Sequence, residues 1–119
     1  MKKKIAGSRC VAFGDSITEG HAIPENSLKW TEIIRRELKL ELINSGIGGN
    51  TSWQGLQRIT KDVLEHKPDF VTICFGMNDH CLISKGNPRV SLQDFQKNIE
   101  SMVAAVRSIE AIPVLITPN

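Results

Sequence analysis

The chain has 119 residues, 40% of them hydrophobic and 24% charged, with a formal net charge of +2. That length bounds it to a single domain, and that composition excludes an intrinsically disordered chain. No apolar run approaches the length of a membrane span, and aromatics at 5% are too few to interleave with basic residues as nucleic-acid stacking platforms.

Much of the positive balance sits in Lys2, Lys3 and Lys4, which read as a solvated tail. Arg9 interrupts what would follow in a secretory signal, so the chain reads as intracellular and cytoplasmic. Cys10 and Cys74 fall in apolar strand patterns and are expected to act as small buried hydrophobes. With Cys81 they make an odd count without CxxC spacing, too scattered for a metal site.

Strand-like and helix-like segments alternate from end to end. Cys10 to Gly14 is a short apolar run bounded by glycine and Asp15, and predicts a buried strand. From Leu28 to Leu38, Trp30, Ile33, Ile34 and Leu38 recur at helical spacing, with Ser27 as the expected N-cap. Leu40 to Asn44 predicts a second strand, stopped by Gly46. Trp53, Leu56, Ile59 and Val63 mark a second amphipathic helix, closed by Pro68. Phe70 to Phe75 is a continuous apolar run, the pattern of a strand covered on both faces. Leu92, Phe95, Ile99, Met102, Val103 and Val106 mark a third helix, opened by Ser91 with Asp94 three positions on. Ile112 to Thr117 predicts a fourth strand before Pro118 and Asn119.

This alternation predicts an α/β fold, with a parallel sheet between helical layers. Sites in such folds lie beyond the carboxyl ends of the strands. Three segments leave strands there: Gly14-Asp15-Ser16, Asn44 to Thr51, and Gly76-Met77-Asn78-Asp79. They are expected to meet on one rim, with the polar loop from His80 to Val90 over it. Acyl transfer needs a nucleophilic oxygen, a base to take its proton, and donors aimed at the oxyanion. Ser16 supplies a hydroxyl at a strand exit. Gly49 lets backbone approach a substrate without a side chain in the way, and Asn78 offers a side-chain amide.

These three segments closely resemble the first three blocks of the GDSL or SGNH hydrolases, which are flavodoxin-like esterases and lipases. The resemblance runs over essentially the whole chain. It implies a three-layer α/β/α sheet, a small-molecule ester substrate, and no metal or organic cofactor. It also implies that Ser16 is the nucleophile, with the Ser16 and Gly49 amides and the Asn78 side chain as the oxyanion hole.

The family's fourth block, an Asp-x-x-His carrying the base, has no counterpart here. Asp15, Asp62, Asp69, Asp79 and Asp94 are followed three positions later by Thr18, Glu65, Thr72, Leu82 and Lys97. The expectation is therefore a single but incomplete domain, residues 1–119, truncated after the fourth strand. In isolation it would be impaired or inactive. One alternative is a non-catalytic module binding a small ligand on the same rim; another is a fragment completed by a partner chain. The apolar run Ile112 to Ile116 would then form an exposed edge open to homo-oligomerisation.

Single residues carry further expectations. Asp15 is read as tying its turn together through hydrogen bonds to the backbone. Gly46 and Gly48 are read as turn glycines with positive φ. His66 is expected near a helix C-terminus, while His21 and His80 are read as lining the rim without a carboxylate partner. Trp30 and Trp53, on apolar stripes, are assigned to the core.

Overall fold

A computed structural model describes residues 4–118. The expected tail at Lys2 and Lys3, and the terminal Asn119, lie outside the described residues.

Four parallel strands form the main sheet: β1 (Arg9–Gly14), β2 (Glu41–Gly46), β3 (Phe70–Cys74) and β6 (Ile112–Leu115), in the order β2-β1-β3-β6. The register matters most at the top. Gly14 pairs with Gly46 on one side and with Cys74 on the other. The three segments that follow these strands therefore leave the sheet at one height. The order also turns about β1, because the chain crosses from β2 over β1 to β3, and such a reversal opens a crevice at the strand ends.

Helices cover both faces. On one face α3 (Ser52–Asp62) and α4 (Leu92–Ser108) pack against Val11, Phe13, Val71, Ile73 and Phe75. Ile59, Val63, Met102 and Val106 complete that core, all 5% exposed or less. The Phe13 and Phe75 rings meet edge to face with centroids 5.0 Å apart. Glycine within a helix costs about 1 kcal/mol relative to alanine. Here Gly55 is what lets α3 approach, since a Cβ would stand 2.5 Å from the Phe75 ring. The opposite face carries the short helix α1 (Ser16–Glu19) and α2 (Trp30–Glu37), tied to β2 where Asn44 donates to the Thr18 carbonyl at 2.8 Å.

Beside β6 the layers thin out. Val114 and Leu115 are 43% and 56% exposed. Ile73, Leu115 and Ile116 line an apolar groove with Phe95 and Ile99 of α4 on one face. Phe70, Thr72 and Val114 line another with Ile34 and Leu38 on the opposite face. The expected apolar edge is present.

Several local expectations fail for physical reasons. Ser27 does not cap α2: it lies in a 3-10 turn, Asn26–Leu28, and its hydroxyl donates to Glu25 at 2.6 Å. Lys29 is extended and α2 begins only at Trp30, without a side-chain cap. Trp53 is not core. It occupies the first turn of α3 and is 56% exposed, beside Pro88, Arg89 and Asp94. Trp30 is half-buried, with Nε1 donating to the Ile17 carbonyl at 3.0 Å. The loop from His80 to Val90 contains a small antiparallel hairpin, β4 (Leu82–Ser84) with β5 (Asn87–Pro88). At α4 the pattern holds, and the Ser91 hydroxyl accepts from the Asp94 amide at 3.1 Å.

Candidate active site

β1 ends in Gly14, where a Cβ would stand 2.6 Å from the Cys74 carbonyl oxygen of the neighbouring strand. Asp15 then caps α1: its Oδ1 accepts from the Ile17 amide at 3.0 Å, as the turn-tying role requires. The side chain is fully buried, and its second oxygen has no hydrogen-bond partner among the described residues. Burial pushes the Asp15 carboxyl above its ordinary value, with a smaller contribution from the charge of Asp79. Ser16 is the first residue of α1 and is half-buried.

The second segment lies against the first. Ser16, Gly48 and Gly49 line one groove together with Glu19, His21 and Ile47. Gly46 and Gly48 do not have positive φ; that conformation belongs to Gly49, at +80°. Gly46 is small for another reason, since a Cβ there would stand 2.2 Å from the Glu19 amide nitrogen. Gly48 donates its amide to the Glu19 carboxylate at 2.8 Å. At Gly49 no atom lies within 4 Å of where a Cβ would be, so the left-handed backbone, not crowding, calls for glycine.

Asn78 is joined to this groove indirectly. Its Nδ2 donates to the Asn50 carbonyl at 3.0 Å, one residue past Gly49. The turn that carries it is fixed from below. Buried Asp79 accepts from the Ser52 amide at 2.9 and 3.1 Å and from the Ser52 hydroxyl at 2.5 Å. Asn98 of α4 donates to that same hydroxyl at 3.0 Å. The third segment is thus tied to the start of α3 and to α4. Thr51 and Gln54 add a capping box, the Thr51 amide donating to Gln54 Oε1 at 2.8 Å.

Ser52, Asn98 and Arg89 were not singled out by the sequence. Arg89 donates to the Gly49 carbonyl at 3.3 Å from the hairpin. The Thr51-x-x-Gln54 spacing is a readable capping signal; the pairing of Ser52 with Asp79 and Asn98 leaves no local trace. The histidines separate. His21 lines the Ser16 groove, whereas His80 lies with Nδ1 3.2 Å from the Gly76 carbonyl oxygen and faces the apolar groove beside β6. His66 ends a 3-10 turn just after α3.

Cys10 and Cys74 are buried, as expected, and burial raises both thiols above their ordinary value. Among the described residues no group of His, Cys, Asp and Glu could hold a metal ion, and no helix is long and apolar enough to cross a membrane.

Comparison with known proteins gives the chain a family and relatives of the same fold. The profile of the GDSL-like Lipase/Acylhydrolase family matches residues 12–119. The lipoprotein YqeF of Bacillus subtilis is 35% identical over 113 residues, spanning 90% of this chain and 46% of that protein. An acetylxylan esterase of Geobacillus stearothermophilus is 28% identical, spanning 95% of this chain and 60% of that one. Among solved structures, a lipolytic protein of the G-D-S-L family from Desulfitobacterium hafniense superposes with a TM-score of 0.79 at 31% identity. It is matched over 92% of this chain and 58% of its own. The chain therefore spans about half the length of the relatives it matches.

Proposed function

The chain belongs to the GDSL-like lipase/acylhydrolase family, and on that premise we propose that it carries the nucleophile and oxyanion hole of a serine ester hydrolase. Ser16 attacks the carbonyl of a small carboxylic ester, its proton passing through a base to the alcohol that leaves as the ester C–O bond breaks. Water then cleaves the acyl-enzyme to the free acid and restores Ser16. The amides of Ser16 and Gly49 and the side chain of Asn78 receive the oxyanion. The observation that carries this reading is the shared groove of Ser16 and Gly49, with the Asn78 amide anchored one residue beyond on Asn50.

The base and its carboxylate come from outside these 119 residues, which hold no Asp-x-x-His. Residues 1–119 are then one incomplete domain. β6, with its apolar residues exposed, is where further chain, or a second copy, extends the sheet.

The test is kinetic, in a polypeptide that carries both Ser16 and an Asp-x-x-His segment. Ser16→Ala should abolish hydrolysis of a short ester. Asn78→Ala should lower kcat about 10²–10³-fold with KM little changed. Full activity in Ser16→Ala would sink the proposal.

A further inference from the structure

Arg58 rises from α3 beneath the rim, and its side chain is only 15% exposed. All three guanidinium nitrogens donate. Nε reaches Asn50 Oδ1 at 2.8 Å, and Nη2 reaches the Gly14 carbonyl at 3.0 Å. Nη1 reaches the Ser45 carbonyl at 2.9 Å and the Asp62 carboxylate at 3.2 Å. Below, the guanidinium lies over the Phe13 ring, 4.7 Å from its centroid. The pair with Asp62 is an ordinary i,i+4 contact along one helix and accounts for one of these bonds. The other three go to neutral oxygens in three places: the end of β1, the end of β2, and the loop after Gly49.

Those places are the ones that position the candidate donors. Gly14 lies two residues before Ser16, and its carbonyl also accepts from the Ile47 amide at 3.0 Å. Asn50 follows Gly49, and its own carbonyl holds the Asn78 side chain. Burial pulls the guanidinium below its ordinary value while the hydrogen bond and charge of Asp62 oppose that shift. A cation held out of water in this way keeps each of its three nitrogens hydrogen-bonded.

We propose that Arg58 is a positioning residue: a planar fork that locks the exits of β1 and β2 to Asn50, and so sets the spacing among the Ser16 amide, the Gly49 amide and the Asn78 side chain. Its consequence for oxyanion binding rests on the ester-hydrolase reading above; the clamp itself does not. A lysine cannot replace it. One ammonium nitrogen cannot reach three acceptors that the guanidinium meets from three different nitrogens.

The experiment is NMR of the 119-residue chain, following the backbone amides of Ser16 and Gly49 and the side-chain amide of Asn78. Arg58→Ala should shift all three, although none of them hydrogen-bonds to Arg58. Millimolar guanidinium should return them toward the native positions, and ammonium should not. Arg58→Lys should stay shifted. Met102→Ala, a core change that destabilises without touching the fork, should leave the three signals in place.

Two results overturn the proposal. Shifts confined to Phe13, Ser45 and Asp62 would make Arg58 a local packing residue, and native signals in Arg58→Lys would show that a point charge suffices. Should Arg58→Ala not fold, Arg58→Lys carries the test alone. In a polypeptide with an Asp-x-x-His segment, Arg58→Lys should lower kcat more than it changes KM. Absence of Ser16-dependent hydrolysis there, with the NMR shifts as expected, would refute the hydrolase reading and leave the clamp standing.

Discussion

β1 and β6 belong to one sheet, run in one direction, and have opposite surroundings. Val11, Ala12 and Phe13 of β1 are fully buried between two layers, whereas Ile112, Val114 and Leu115 of β6 are 42%, 43% and 56% exposed. Both strands are apolar in sequence. What separates them is neighbours: β1 has β2 and β3 at its sides and helices on both faces, while β6 pairs with β3 alone among the described residues. The candidate site follows the same division. It stands over the end of β1, where three level strand exits meet.

Mutations in the inner and outer strands should differ most at Phe13. Phe13→Ala should destabilise the chain by about 3–5 kcal/mol, measured by denaturant unfolding, because Phe75 loses its edge-to-face partner and a cavity opens. If it costs no more than a substitution in β6, the inner and outer strands do not differ as described.

Asp79→Ala comes next, at about 3 kcal/mol. It leaves the buried Ser52 amide and hydroxyl without their acceptor, and each buried orphan costs about 1–3 kcal/mol. Thr51→Ala should cost about 1 kcal/mol through loss of the capping box. Leu115→Thr should cost about 0.5 kcal/mol, since the residue is already 56% exposed. It should also reduce self-association of the 119-residue chain in sedimentation, sharpening the contrast between an inner strand that holds the fold and an outer one that invites a neighbour.

Asp15 gives the rim a pH signature. Its carboxyl is raised in the folded state by burial, so the protonated form is the one the fold favours. The stabilising contribution is complete below the ordinary carboxylate value of about 3.9 and is lost as pH climbs through the raised native value. Asp15→Asn should flatten that decline in a series of unfolding curves. An unchanged slope would show that Asp15 is not its source.

The layers and the rim were legible because they rest on local signals. Phe70 to Phe75 reads as a doubly covered strand, and glycines mark the exits that the register brings level. What escaped depends on distant partners. Asp79 meets Ser52 across 27 residues and Asn98 meets Ser52 across 46, and a single sequence carries no trace of either pairing. Arg58 looks like a solvated helix residue until the ends of β1 and β2 are placed around it. Trp53 was misread because its spacing fits the apolar stripe, although it sits in the first turn of α3, beyond the packed part of that face. Gly46 and Gly48 were misread because glycine suggests a turn, whereas at Gly46 the demand is the close approach of the Glu19 backbone.

The most direct test of the central claim is covalent labelling of the folded 119-residue chain with an activated phosphonate, mapped by mass spectrometry across a pH series. Modification is expected at Ser16, slow at neutral pH and faster as hydroxide supplies what the absent base would, with no label in Ser16→Ala. Labelling of other serines with Ser16 untouched would contradict Ser16 as the nucleophile. Rapid labelling of Ser16 at neutral pH would contradict the claim that its base lies outside these residues.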